Sequence, residues 1–390
     1  MDDDRALAGL RVVEFGQLIA TPLAGMILAD LGADVIKVEG SEGDPGRALR
    51  SMNVGTPGSS PTFLAYNRNK RSIELDLKSD LGKEAARRLV GRADIVIQGY
   101  RPGAMDRLGL GYDTLHAADP ELIYGSVSGF GFTGEERSRP GVDMVVQAES
   151  GMMSITGHPG NPPTKVGFTI IDVVAGNVLA QGILAALLRR ASGRGGDHVT
   201  VSLLDVAVHM QAGPIGEYLT NGALPQRIGN SAPMTAPADL MQTADGSIVI
   251  SAYLPEHWAM LCNTLGVQGL IDDPRFATKD RRVANRLELV ALLEQVLVTN
   301  TTDHWAALLL ELGLVIGRVR TYADVARSPQ LESNGIWLDV PTPGGGSYRT
   351  MKVPFRTASE THHEPTPAPE LGEHTAEILT EIGLGSAPAS

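Results

Sequence analysis

The chain has 390 residues, 43% of them hydrophobic and 20% charged, which are values of a globular protein with room for two to three domain-sized units. A formal net charge of −12 argues against general nucleic-acid binding, which depends on clustered Lys and Arg to displace counterions from phosphates. The single cysteine, Cys262, excludes an intrachain disulfide framework and a thiolate metal cluster, as suits a reducing compartment.

In chain order, the opening MDDDRALAGLRVVEF starts with acids and lacks the basic and apolar segments of a secretion signal. Leu10 to Phe15 reads as a buried strand, Pro22 to Leu31 as a helix and Ala33 to Val38 as a second strand, a βαβ start. Further strands are expected at Ser72 to Leu77, Ala93 to Gln98 and Leu122 to Ser128, with a helix at Leu81 to Val90. Such alternation implies a largely parallel sheet covered by helices, hence α/β. Glu39 ends the second strand where a dinucleotide-binding fold places its ribose acid. The Gly16-Gln17-Leu18 turn, however, lacks the glycines of G-x-G-x-x-G.

The most informative run extends from Gly141 to Ser202. It sets Asp172 within Ile170-Ile171-Asp172-Val173-Val174 and continues into a long small-residue helix ending near Arg190. An acid among residues that usually go inside costs free energy unless hydrogen-bonded, which makes Asp172 a candidate for chemistry. Val173 to Leu188 is too short, and too interrupted by Asn177 and Gln181, for a membrane span, so a soluble cytoplasmic protein is expected. After a turn at Ser192 to Gly196 come a strand at His198 to Ser202 and helical spacing from Asp205 to Leu219. A Gly-, Pro- and Ala-rich stretch from Asn221 to Pro237 reads as a linker or active-site loop. A small second unit follows, with a turn at Gln242 to Gly246, a strand at Ser247 to Ala252 and helices around Trp258, Leu287 and Trp305. Pro329 to Pro343 and the Gly344-Gly345-Gly346 turn close it, and a final helix runs to about Ile382. The resulting division is 1–205 for the first part of a large domain, 206–235 for a linker, 236–325 for a small α+β domain and 326–390 for the return to the large one.

Basic residues gather at Asn67-Arg68-Asn69-Lys70-Arg71-Ser72 and at Tyr100-Arg101-Pro102-Gly103 with Arg107. Both lie after or beside expected strands, where open α/β sheets form ligand crevices, and a nucleotide carrying several phosphates needs such contacts. His362-His363-Glu364, His374 and His158 do not form a metal-ligand spacing, and no G-x-S-x-G elbow supports a serine hydrolase.

The order and spacing of GLRVVEFGQLIATP, LGADVIKVEGSEGDPGR, NRNKRSIELDLK, ADIVIQGYRPGAMDRLGLGYDTL, LIYGSVSGFG, the run from DMVVQAESG to TVSLLD, DPRFAT and LGEHT resemble the class III CoA-transferases. That superfamily also contains the alpha-methylacyl-CoA racemases. The resemblance implies a large Rossmann-like domain from both ends of the chain, a small domain from its middle and an interlocked homodimer. It further implies coenzyme A and acyl-CoA as substrates with a carboxylic acid as partner, and no metal or prosthetic group. By position, Asp172 matches the catalytic aspartate, which passes through an aspartyl anhydride and an aspartyl-CoA thioester. The resemblance assigns backbone groups near Gly16, Gln17 and Leu18 to the oxyanion, with Val142 and Asp143 in the substrate pocket. Lys70, Arg71, Ser72, Tyr100, Arg101 and Arg107 fall to the CoA phosphates, and Val38 and Glu39 to the adenine side. Gly40 stands where many relatives carry Arg or Pro, and no tetraglycine precedes the small domain, so formyl-CoA:oxalate transfer is not implied. The racemase branch has a histidine before the acid where this chain has Val142, which favours transfer over racemisation. The alternatives are a racemase, an intramolecular CoA-transfer isomerase and a non-catalytic CoA-binding protein.

Overall fold

The computed structural model describes residues 4–49, 60–342, 346–358 and 363–385. His362 and Gly344-Gly345 therefore lie outside the described residues. Two compact units emerge: one from 1–152, 165–222 and 334–390, the other from 153–164 and 223–333.

The larger unit holds strands β1 (Arg11–Phe15), β2 (Asp34–Glu39), β3 (Lys70–Glu74), β4 (Ile95–Gln98), β5 (Ile123–Ser128) and β6 (His198–Ser202). Its helices are α1 (Ala20–Asp30), α2 (Pro61–Asn67), α3 (Asp80–Val90), α4 (Ala104–Arg107), α5 (Tyr112–Ala118) and α6 (Asp143–Glu149). The short α7 (Met152–Ile155) stands where the chain first leaves this unit, and α8 (Ile170–Ala191), α9 (Leu203–Met210) and α10 (Ala212–Asn221) follow. All six strands are parallel, in the order β3-β2-β1-β4-β5-β6. This is the doubly wound order, whose ligand crevice opens at the carboxyl ends of β1 and β4, where the winding reverses.

Both faces of the sheet are covered, and the apolar residues of its central strands separate by parity. Val12, Val35, Ile95 and Ile97 pack in one core with α1, α8 and α9. Val13, Phe15, Ile36, Ile73 and Val96 pack in another with α3 and the C-terminal helix around Ile378. The sequence reading of one helix over Asp205 to Leu219 gives way to two, since α9 ends at Gln211, whose side chain turns back to the carbonyls of Ala207 and Ser150. Helices α9 and α10 therefore occupy the first part of the stretch 206–235, and the second crossing into the smaller unit falls after Gly222.

Helix α8 has 22 residues, more than the segment Val173 to Leu188, and its mean hydropathy of 1.9 is high enough to cross a membrane by length and composition. Here it packs on α1, β5 and β6, and Ile171, Ala175, Leu179 and Ile183 are fully buried.

The smaller unit comprises an antiparallel sheet of β7 (Ala238–Gln242), β8 (Ser247–Ser251) and β9 (Val315–Arg318). Against it stand α11 (Pro255–Thr264), α12 (Lys279–Ala284), α13 (Arg286–Leu297) and α14 (Thr302–Glu311), with α15 (Tyr322–Ala326) and α16 (Pro329–Asn334) after β9. Trp258, Phe276, Leu293 and Trp305 fill its core. The chain re-enters the larger unit through the hairpin β10 (Trp337–Pro341) and β11 (Ser347–Met351) and ends in α17 (Thr375–Glu381).

Candidate active site

Strands β5 and β6 are parallel, so the connection between them must return across the sheet, and α8, packed on both, carries the chain back with its first turn at the carboxyl edge. Gly176 fixes how closely it docks: a Cβ there would stand 2.6 Å from the Ala20 carbonyl and 3.0 Å from Leu23. Asp172, one turn earlier, is thus set beside the start of α1.

The N-cap of α8, Thr169, makes no side-chain capping bond. Asp143, at the first turn of α6 and 5% exposed, takes that role, accepting from the Ile171 N–H at 2.7 Å and the Asp172 N–H at 3.4 Å. Gln147 donates to the other oxygen of Asp143 at 2.5 Å, and its carbonyl accepts from the Val166 N–H at 2.8 Å. The two acids therefore have different occupations. Asp143 is consumed in satisfying helix-terminal donors, whereas the Asp172 carboxylate accepts no hydrogen bond among the described residues. Burial, reinforced by the Asp143 charge, pushes Asp172 up to about 7. Tyr66, whose hydroxyl is raised by its own burial and then by Asp172, shares this environment.

The β1–α1 turn is the second part of the site. Leu18 has φ of 64°, a left-handed conformation unfavourable for a residue with a Cβ. Its N–H is donated to Asp44 at 3.0 Å, so of the three oxyanion candidates Leu18 is already occupied. Gly16 turns its carbonyl to the buried Lys37 ammonium at 2.8 Å. Gln17 is exposed, and neither its N–H nor its side chain has a partner among the described residues. A Cβ at Gly16 would meet Thr21 at 2.5 Å, and one at Gly99 would meet the Thr21 hydroxyl at 2.6 Å, so the loops after β1 and β4 both close on Thr21.

The basic residues divide. Lys70, 2% exposed, contacts Glu14, the Asn67 side chain and the Pro22 carbonyl. Arg71 is spent on Asp34, Glu377 and Glu381. Ser72 donates to Glu39 and accepts from the Gly372 N–H. Glu39 in turn is paired through both oxygens with Arg47, and Val38 is buried. These placements differ from the phosphate and adenine roles assigned from sequence, because the groups are already satisfied inside the protein. Arg101 and Arg107 are exposed and unpartnered among the described residues, on the loop and short helix after β4, beside the half-buried Tyr100. Val142, 55% exposed, is the N-cap of α6 and presents no ionisable group.

Sequence reasoning missed Gln147, Asp44, Lys37 and Tyr66. Gln147 lies four residues after Asp143, the spacing that puts two side chains on one helical face, so it was within reach. Among the described residues no group of three or more metal-ligating side chains converges.

Residues 7–375 match the model of CoA-transferase family III. A probable fatty acyl-CoA transferase of Mycobacterium tuberculosis is 40% identical over 96% of this chain and 98% of its own length. The succinate–glutarate CoA-transferase of Agrobacterium fabrum is 36% identical over 96% and 95%. The crystal structure of a CaiB/BaiF family protein from Brucella suis superimposes with a TM-score of 0.89 at 37% identity, covering 97% of this chain and all of that one. With its sheet order, its near-complete coverage and this level of identity, the chain belongs to CoA-transferase family III and is a CoA-transferase.

Proposed function

We propose that the protein moves CoA from an acyl-CoA thioester to a free carboxylic acid, with Asp172 as nucleophile. An Asp172 oxygen attacks the thioester carbonyl carbon, the C–S bond breaks and CoA leaves as thiolate, giving a mixed anhydride. The thiolate then attacks the aspartyl carbonyl and releases the donor acid, leaving an aspartyl-CoA thioester. The acceptor carboxylate reverses these steps: it displaces thiolate to form a second anhydride, and thiolate attack on the acceptor carbonyl frees Asp172.

The observation that carries this reading is the division of labour between the acids. Asp143 caps the helix, whereas the Asp172 carboxylate accepts no hydrogen bond among the described residues, and the residue is half-buried with a pKa raised to about 7. A structural carboxylate would be satisfied. Each tetrahedral intermediate needs a donor at its oxyanion, and the Gln17 N–H and side-chain amide, without partners among the described residues, are donors on the β1–α1 turn. Arg101 and Arg107 are assigned to the CoA phosphates. Racemisation is disfavoured because Val142 offers no proton carrier where the racemase branch places a histidine.

Homodimer formation belongs to the same proposal. It is supported by the family match and by exposed apolar side chains on α6, α9 and α10, among them Met144, Val208 and Leu219. The test of function is exchange of labelled CoA between acyl-CoA donors and free acids, pairing succinyl-CoA with short dicarboxylates and, separately, long-chain acyl-CoA with short acids. Transfer in the wild type and its loss in Asp172→Asn support the reading. Equal exchange in the variant, or alpha-proton exchange without transfer, overturns it.

A further inference from the structure

Beneath the β1–α1 turn lies a cluster of charges that the chemistry above does not use. Glu14 on β1 and Lys37 on β2 are fully buried, and Lys70 on β3 and Asp44 in the loop after β2 nearly so. Lys37 pairs with Glu14 at 3.0 Å and Asp44 at 2.8 Å, and Lys70 pairs with Glu14 at 2.8 Å. Two acids and two ammonium groups balance. Gly25 of α1 makes room for them, since a Cβ there would lie 2.1 Å from a Glu14 carboxylate oxygen. A buried ion group of this kind adds little net stability over an apolar filling, so its presence asks for another reason.

The reason is visible in what the cluster holds. Asp44 uses one oxygen for the amides of Leu18, at 3.0 Å, and Gly46, at 2.7 Å, and the other for Lys37. Lys37 also takes the Gly16 carbonyl at 2.8 Å. The residues on either side of Gln17 are thus pulled inward, Leu18 into a left-handed conformation that its side chain disfavours. We infer that Asp44, set in place by Lys37, is a positioning residue for CoA transfer whose oxygen on the Leu18 N–H keeps Gly16 to Leu18 in the turn that leaves Gln17 free at the mouth of the crevice. Neither residue touches substrate. The inference rests on the reading of the site as a CoA-transferase centre at Asp172.

The test separates positioning from plain structural support. Asp44→Ala and Asp44→Asn both remove the buried negative charge and both should lower Tm. The asparagine retains an oxygen for the Leu18 N–H. Measured well below either Tm, Asp44→Asn should keep kcat within about threefold of wild type, whereas Asp44→Ala loses roughly ten- to a hundredfold, the range of one or two lost charge-assisted bonds. Adding Leu18→Gly to Asp44→Ala should recover roughly five- to tenfold, because glycine adopts the left-handed turn without the steric cost. If Asp44→Ala does not fold, Leu18→Pro, which forbids a positive φ and deletes the N–H while leaving the cluster intact, should show the same loss of kcat. Equal kcat in the folded Ala and Asn variants, no recovery with Leu18→Gly, or wild-type kcat in Leu18→Pro overturns the inference. Asp172→Asn run in the same assay keeps the two readings apart. Activity there would refute the nucleophile, while the contrast between the Asp44 variants still reports on the turn.

Discussion

The basic stretches 67–72 and 100–107 look alike in sequence, yet the fold surrounds their cations differently. Residues 67–72 enter β3, and there every cation finds a carboxylate: Arg68 meets Asp30, Lys70 meets Glu14, and Arg71 meets Asp34, Glu377 and Glu381. Residues 100–107 leave β4 at the crevice, and Arg101 and Arg107 meet no acid among the described residues. Local density of charge therefore does not decide whether an arginine is paired inside the protein; that depends on whether the fold supplies a carboxylate, and only an arginine left unpaired is available to a phosphate. For Arg71 two of those acids come from about 300 residues further along the chain.

This contrast is open to direct attack, beginning where the effect is largest. Lys70→Met leaves Glu14 short of one buried partner and should cost about 3–5 kcal/mol in urea denaturation, with CoA affinity of the folded fraction unchanged. A variant of normal stability that no longer binds CoA would return Lys70 to the phosphate site. Arg101→Ala and Arg107→Ala should each weaken CoA binding by about 1.5–3 kcal/mol, roughly ten- to more than a hundredfold in Kd by calorimetry. Their stability should stay within about 0.5 kcal/mol of wild type; unchanged Kd in both would make them ordinary solvated charges. Arg71→Ala is expected to reverse that pattern more gently. Its partners are partly exposed, so screening limits the loss to about 1 kcal/mol, with CoA affinity intact.

The acids offer a second contrast, readable by pH. The folded-state pKa of Asp172 lies above its ordinary value, so the folded protein holds this proton more tightly than the unfolded chain between about pH 4 and 7. The penalty for burying its charge is absent below that window and complete above it. Asp172→Asn should therefore raise Tm at pH 8 and leave it little changed at pH 4. In the proposed mechanism the ionised form attacks, so kcat in the wild type should rise through about pH 7. Equal Tm differences at both pH values would show that Asp172 carries no raised pKa.

Much of the frame was legible in the sequence. The apolar runs at β1, β2 and β4, the expected strands at β5 and β6 and the βαβ alternation are local signals, and Asp172 stood out because its neighbours are apolar. The strand-end turn after β1 could be located, but the inward pull on Leu18 could not, since it depends on Asp44, which arrives from the loop after β2. The roles of Asp143 and Asp172 were likewise separable only once α6 was seen to cap α8 across 28 residues. Asp143 and Asp172 are both acids in one motif-rich run. Only the hydrogen-bond partners decide which of them is free to react.

The central claim, that Asp172 forms a covalent bond to the substrate, is tested most directly by peptide mass spectrometry of wild-type enzyme held with an acyl-CoA donor and no acceptor. Quenching with hydroxylamine or borohydride should leave a mass change on the peptide containing Ile171-Asp172-Val173, absent without donor and absent in Asp172→Asn. Full labelled-CoA transfer with that peptide unmodified at every time point, or an adduct mapped to another residue, would contradict the account.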